Sequence, residues 1–343
     1  MIITSMHALT SEDFANSNGP YFAVGNQALL FDGGTEKATS DIFWYFDDGH
    51  TDILRKPSHV YGKSGLYIAK LRVAVTEEGG VTTRHFTKVN IANVAPQVLM
   101  PENITVNEGE EVPLIIRFID VNWLDTHTAS IDWGDNSAPE DLIVSQTNEP
   151  PQAQGEMMTC HAYCDNGSYT VKVTVRDDVG GIGIGQMLIT VENVAPQVYL
   201  PDVLYTLEKQ CVRLEGFFTD QGWCDTHTGV WHLGDCSKRN AFIEEINLPP
   251  QAEGLAQLAH AFDCCGDHQI KLAITDDDGA TGLDTMTVHV NTLKNSMLED
   301  GFYIFSLGGD RNDLIIANHW YPYAAQIDSF TAASNQTSID LDY

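Results

Sequence analysis

Asn93-Val94-Ala95-Pro96-Gln97-Val98 recurs one hundred residues later as Asn193-Val194-Ala195-Pro196-Gln197-Val198. In the same register Asp125-Thr126-His127-Thr128 returns as Asp225-Thr226-His227-Thr228, and Gly134-Asp135 as Gly234-Asp235. A period this long signals repeated whole modules rather than a solenoid of short units. Tandem modules of this kind make spacers, stalks and adhesive arrays more often than they make active sites.

Working outward from the repeat, each module reads as β-structure. Tyr169-Thr170-Val171-Lys172-Val173-Thr174-Val175 alternates apolar and polar residues with the period of a half-buried strand. Tyr67–Val73 and Ile270–Ile274 stand at the equivalent places, and Met187–Val191 reads as the strand that returns to the joint. The turns Glu77-Glu78-Gly79-Gly80, Asp177-Asp178-Val179-Gly180-Gly181 and Asp276-Asp277-Asp278-Gly279 suit the backbone of hairpins. Short strands punctuated by turns, with no helical period, predict an all-β chain of β-sandwiches. The proline of Asn-Val-Ala-Pro fixes its own φ and holds the preceding alanine extended, so the joints are expected to be short and semi-rigid and the modules to form a rod. The division predicted is 1–17 leader, 18–93, 94–193 and 194–292 modules, and 293–343 tail.

Composition excludes several classes. The 343 residues carry a formal net charge of −30, which argues against nucleic acid and against anionic lipid as partners. Hydrophobic residues make up 43%, enough for folded cores. No apolar run approaches the ~20 residues of a membrane-spanning helix, so no membrane insertion is expected. Met1-Ile2-Ile3-Thr4-Ser5-Met6-His7 lacks the basic start and long apolar core of a signal peptide. The seven cysteines lie unevenly, none before Cys160, so they do not recur with the modules and no pairing follows from them.

The combined pattern resembles the PKD domain, an Ig-like module. Its marks are a tryptophan strand ending in a Gly-Asp-Gly-like turn, a His-x-Tyr element, and Gly-x-Tyr opening an alternating strand. The second module has Trp133-Gly134-Asp135, His161-Ala162-Tyr163 and Gly167-Ser168-Tyr169. The first has Trp44 with Asp47-Asp48-Gly49, then His59-Val60-Tyr61 and Gly65-Leu66-Tyr67; the third has Trp231 with Gly234-Asp235-Cys236, then His260-Ala261-Phe262 and Gly266-Asp267-His268. Asp47, Cys236 and His268 depart from the pattern. The resemblance covers about residues 18–292 and implies three tandem Ig-like sandwiches with a small β-rich C-terminal tail. A tyrosine after a glycine turn is expected to tie down backbone with its hydroxyl. His59, His161 and His260 are expected to bond a nearby turn carbonyl or carboxylate rather than to act in catalysis.

Asp120 and Asp125 flank a loop before the tryptophan strand, and Asp220 and Asp225 repeat them. With Asp135, Asp177, Asp178 and Asp235 they are candidate calcium ligands, because calcium gathers roughly six to eight hard oxygens. Turn capping through Asx-type hydrogen bonds is the alternative reading of the same residues. The first module lacks the Asp-Thr-His-Thr element. Cys160, His161 and Cys164, like Cys264 and Cys265 with His260 and His268, match no zinc spacing. No nucleophile–base set, phosphate loop or zincin helix is present, so the chain is not expected to be an enzyme.

In the tail, Gly301–Leu307 reads as an apolar strand, and Gly308–Leu314 faintly resembles a calcium-binding glycine-aspartate turn. The functional expectation is a non-enzymatic extracellular or cell-surface structural and adhesive protein. Its partners would be other subunits or a cell-surface protein. Two alternatives stand beside it. One is a self-assembling filament or surface-layer subunit joined through the tail strand. The other is a polysaccharide-binding accessory module using Trp123, Trp223, Trp320, Tyr321 and Tyr323.

Overall fold

The structure is a computed structural model that describes residues 19–33, 40–75, 82–294, 302–305 and 314–317. Among these residues there are strands and turns and no helix, so none is long and apolar enough to cross a membrane. The leader, the turn at 77–80, the 308–313 turn and the aromatics at 320–323 lie outside the described residues. Chain contacts divide the protein into two compact units. One is Met1–Val194 with Gln221–Trp223, and the other is Ala195–Asp220 with Cys224–Tyr343.

The first unit holds two sandwich cores. In the sandwich that follows the first joint, Ser145–Thr147, Ala153–Ala162, Glu111–Asp120 and Gln97–Leu99 form a four-stranded sheet. Glu140–Leu142, His127–Asp132, Gly167–Asp177, Ile182–Glu192 and Ile104–Asn107 form the five-stranded sheet opposite. Ile104–Asn107 joins its sheet in parallel with Ile182–Glu192, while the other pairings are antiparallel. The sheets are held by the alternation visible in the sequence. Val112, Leu114, Ile116 and Phe118 from one strand meet Val171, Val173 and Val175 from the other around Trp133. Full burial of each such aliphatic or aromatic side chain contributes about 1.5–3 kcal/mol. Phe118 lies flat against Gly155, where an added Cβ would come within 2.0 Å of its ring. The close approach requires the glycine.

The earlier sandwich of this unit has a five-stranded sheet ordered Tyr21–Val24, Thr82–Ala92, Gly65–Val75, Ser40–Tyr45 and Thr51–Asp52. A two-stranded ribbon, Leu29–Leu30 with Ser58–His59, accompanies it. The core gathers Trp44, Phe46, Tyr61, Leu71 and Val89.

The second unit repeats the four- and five-stranded pair. Gln197–Tyr199, Cys211–Asp220, Gln251–Ala261 and Phe242–Leu248 face Val203–Leu207, Thr281–Asn291, Gly266–Thr275, Thr228–His232 and Lys238–Asn240. Trp231, Leu272 and Phe218 centre its core, and Gly254 receives Phe218 as Gly155 receives Phe118. After it, Leu293–Lys294, Phe302–Phe305 and Leu314–Ala317 make a three-stranded sheet. The apolar strand read at 301–307 is therefore present at Phe302–Phe305.

The signature residues do structural work at the sandwich ends. The Tyr61 and Tyr163 hydroxyls donate to the carbonyls of Phe46 (2.9 Å) and Trp133 (3.0 Å). These bonds equate Phe46 with Trp133, so Trp44 sits two residues earlier in its strand than Trp133 does. Tyr67 and Tyr169 donate to carbonyls four residues back, at Lys63 and Asp165. His268, the departure in the third module, makes the same link through Nε2 to the Cys264 carbonyl at 3.0 Å. His59 and His161 each place Nε2 2.7 Å from a turn carboxylate, Asp48 and Asp135 respectively. Replacing Tyr163 with Phe should leave the buried Trp133 carbonyl without its donor and cost about 1–2 kcal/mol. Thermal or urea unfolding of the variant checks this, and an unchanged midpoint would count against the assigned role.

Candidate functional site: buried carboxylates at the joint

The site follows from strand period. In Gly167–Asp177 the core-facing positions run Val171, Val173, Val175 and then Asp177. In Glu111–Asp120 they run Val112, Leu114, Ile116, Phe118 and then Asp120. Alternation forces the carboxylate that ends each stripe to point inward with the valines. The chain then crosses between the sheets through 121–126 and enters the second sheet at His127, paired with Asp177. That crossing brings in Asp125. Asp120, Asp125 and Asp177 are all buried and offer carboxylate oxygens within 4.8 Å of one another.

Two of the three carboxylates are well bonded. Asp120 accepts from the Asn122 amide (2.8 Å) and from His127 Nε2 (3.0 Å). Asp177 accepts from the amides of Val179 and Gly181 through Oδ1 and from the Asn93 side-chain amide through Oδ2. Asp125 differs, because neither of its buried carboxylate oxygens has a hydrogen-bond partner. Its nearest cation is Lys63, 3.8 Å from Oδ1. Burial, reinforced by the charge of Asp178, pushes the Asp125 carboxyl up to about 6. Asn93 also leaves its amide oxygen Oδ1 buried and unbonded.

The surroundings of His127 favour its charged form. Its Nε2 donates to Asp120, and its Nδ1 donates to Gln146 Oε1 at 3.2 Å. The Gln146 amide nitrogen is spent on the Asp125 carbonyl and Asn148, which fixes the oxygen towards the ring. Burial lowers the His127 pKa, but the bonds to Asp120 and Gln146 outweigh it and the net shift is upward. Lys63 reaches in from the preceding sandwich and donates to Asp178. Even with His127 charged, four carboxylates (Asp120, Asp125, Asp177, Asp178) against one imidazolium and one ammonium leave two formal negative charges.

The joint itself is built into this cluster. Val94 donates its amide to Asn122 Oδ1 at 3.0 Å, and Leu124 donates to the Gly62 carbonyl at 3.0 Å. A Cβ at Gly181 would strike Asp177 Oδ2 at 2.2 Å and Asn93 Nδ2 at 2.8 Å, so the glycine makes room for the pairing.

The second unit carries the same arrangement in Asp220, Asp225 and Asp276, again buried and within 4.8 Å. His227 donates to Asp220 (3.0 Å) and to Glu245 (2.8 Å), and its pKa is likewise raised. Asp276 corresponds to Asp177. It accepts the amides of Gly279 and Ala280 as Asp177 accepts those of Val179 and Gly181. It was missed in the sequence because the repeat loses one residue between Asp235 and His260, so a strict offset of one hundred points to Asp277. The stripe Ile270, Leu272, Ile274, Asp276 was the signal that would have found it.

Two sequence candidates stand elsewhere. Asp135 belongs to the turn at the far end of His127–Asp132, about 20 Å along the strand from Asp177. There it bonds Ser137 and His161. Asp235 likewise caps Ser237. Both side chains accept backbone amides within their turns. Trp123 and Trp223 are only partly exposed, and Trp123 packs against Gly62, where an added Cβ would meet its ring at 2.5 Å. Cys160, Cys211, Cys236, Cys264 and Cys265 are exposed free thiols.

The sequence model of the PKD domain matches residues 16–91 and 93–190, just over half of the chain. The chain belongs to the PKD domain family. A curated relative, Collagenase ColA of Bacillus cereus, is 34% identical over 80 residues, which are 22% of the PKD chain and 8% of the relative's own length. Among solved structures, the complex of Dpr2 Ig1-Ig2 with DIP-Theta Ig1-Ig3 aligns at 11% identity and a TM-score of 0.32. That alignment covers 81% of the PKD chain and 97% of the other. Mouse cadherin-23 EC22-24 aligns at 11% identity and a TM-score of 0.26, covering 80% and 97%.

Asp125→Asn tests the electrostatics of the PKD joint directly. It removes a buried carboxylate that repels Asp120, Asp177 and Asp178. In the presence of a chelator the variant should therefore be more stable, by roughly 1–2 kcal/mol. Calorimetry in EDTA reads the change, and a lower melting temperature than the parent would contradict it.

Proposed function

We propose that this PKD chain is a non-enzymatic spacer and protein-contact element of the cell exterior whose joint is tightened by calcium. One observation carries the reading. The segment linking two sandwiches is bonded into a buried carboxylate cluster with two uncompensated negative charges and open oxygens on Asp125 and Asn93. Calcium fits that donor set, since it takes carboxylate and amide carbonyl oxygens and tolerates irregular geometry. Asp125, Asp120, Asp177 and Asn93 would hold it. The ion would supply the missing positive charge and couple the Asn93 linker to the strand ends of the following sandwich. PKD and Ig-like modules commonly serve as spacers and contact surfaces, and the function lies in sites placed on the fold rather than in the fold. The similarity to a short segment of a collagenase fits an accessory module. The catalytic activity of that relative is not carried over.

Calcium at about one hundred times its dissociation constant should raise the stability of the folded chain by ~2.7 kcal/mol. Calorimetry with calcium and with EDTA measures this, and limited proteolysis at 92–97 reads the joint in the same samples. Cleavage there should slow when calcium is present. Asp125→Asn should remove the calcium-linked protection at this joint, and Asp225→Asn should leave it intact. The absence of any shift at millimolar calcium would end the calcium reading, while the tandem fold would be unaffected.

A further inference from the structure

Among its described residues the first sandwich has no buried carboxylate cluster, but it carries a different cluster at its opposite turn. Asp48, His50 and His59 each offer a ligand atom, all within 4.8 Å of one another. His59 Nε2 lies 2.7 Å from Asp48 Oδ2, and His50 Nδ1 lies 3.3 Å from Asp48 Oδ1. We propose that Asp48, His50 and His59 form a binding site for a transition-metal dication of the zinc class.

The placement of each ligand has a physical cause. His59 is fixed by stacking on Phe46, with centroids 4.1 Å apart and planes 7° apart, and by the edge of Tyr61 at 4.6 Å. Its side chain is only 11% exposed. Burial lowers its pKa, which favours the neutral ring. Asp48 is held by its own turn, where Oδ1 accepts the His50 amide at 3.0 Å. That same bond sets His50 beside it. The His50 side chain is 73% exposed and free to swing inward.

The other two sandwiches supply an internal comparison. Ser137 and Ser237 occupy the position of His50, and each donates its backbone amide to the turn aspartate in the same way. The aspartate–histidine pair therefore belongs to the fold, as His161 with Asp135 shows. The third ligand occurs only in the first sandwich.

The ligand chemistry selects the ion. Two imidazoles and one carboxylate suit zinc, nickel or copper, whereas calcium and magnesium prefer all-oxygen sets. Zinc–nitrogen and zinc–oxygen bonds of about 2.0–2.2 Å place tetrahedral ligands roughly 3.3–3.5 Å apart. The 2.7 Å pair must open by about half an ångström, the scale of a side-chain adjustment, and the His59 proton then resides on Nδ1. Solvent completes the coordination at the exposed side.

The test uses the full chain with its exposed thiols alkylated and calcium present in excess. Zinc titration at pH 7.5 by calorimetry should show one saturable site, and cobalt(II) should give the visible absorption of a four- or five-coordinate nitrogen–oxygen site. His50→Ser copies the residue that the other sandwiches already use, so folding and melting temperature should be retained. Affinity for zinc should fall by about tenfold or more. Asp48→Asn supplies a second variant, read by the same cobalt spectrum, which it should abolish. Saturable zinc binding of equal affinity in His50→Ser, or no saturable binding by the parent below about 1 mM zinc, would overturn the assignment.

Discussion

A carboxylate at the end of an apolar stripe has no choice about where it points. The pleat that buries Val171, Val173 and Val175 buries Asp177, and the one that buries Ile116 and Phe118 buries Asp120. Each sandwich after the first thereby carries acid into the rim of its own core. Burying charge is costly unless it is compensated. Much of the local architecture reads as compensation. A buried imidazole lies between Asp120 and Gln146, turn amides converge on Asp177, and a lysine is lent by the preceding sandwich. What remains uncompensated at Asp125 is the part that invites a cation.

The modules share a frame and differ in where they place polar groups. The tyrosine hydroxyls that close the sandwich ends and the His–Asp pairs at the hairpin turns keep the frame. His268 shows that the frame tolerates a change of side chain when the bond to the backbone survives. Strand-end and turn positions that make none of these bonds sit outside that frame, so they vary at little cost. The first sandwich has Ala69, Leu71 and Val73 without an acidic terminus, and a histidine where the others have serine. Function in such a chain resides at the ends of strands, because their middles are committed to packing.

The net charge of −30 acquires a more specific meaning in this light. Most acidic residues lie in turns and on exposed faces, where they are solvated and keep a repetitive β-protein soluble. A small subset is buried in two clusters that repeat at the same topological position, one in each unit. Composition reports the first population and is silent on the second. Charge count alone would have assigned Asp135 and Asp235 the same standing as Asp125, whereas their side chains cap turns at the other end of the strand.

The sequence by itself determined the β-class, the repetition and the family, because alternation with period two, recurrent turn residues and a hundred-residue register are local properties that need no partner to be read. It also contained the inward direction of Asp120, Asp177 and Asp276, written in the phase of the strands that they end. Only the tertiary structure decided which carboxylates meet. That depends on the crossing at 121–126 that carries Asp125 between two sheets, and on a strand pairing that sets His127 against Asp177. It also decided that Lys63 and Asn93 reach the cluster and that His50 stands beside His59. As many as 115 residues of chain separate these groups, and only the closure of sheets brings them together.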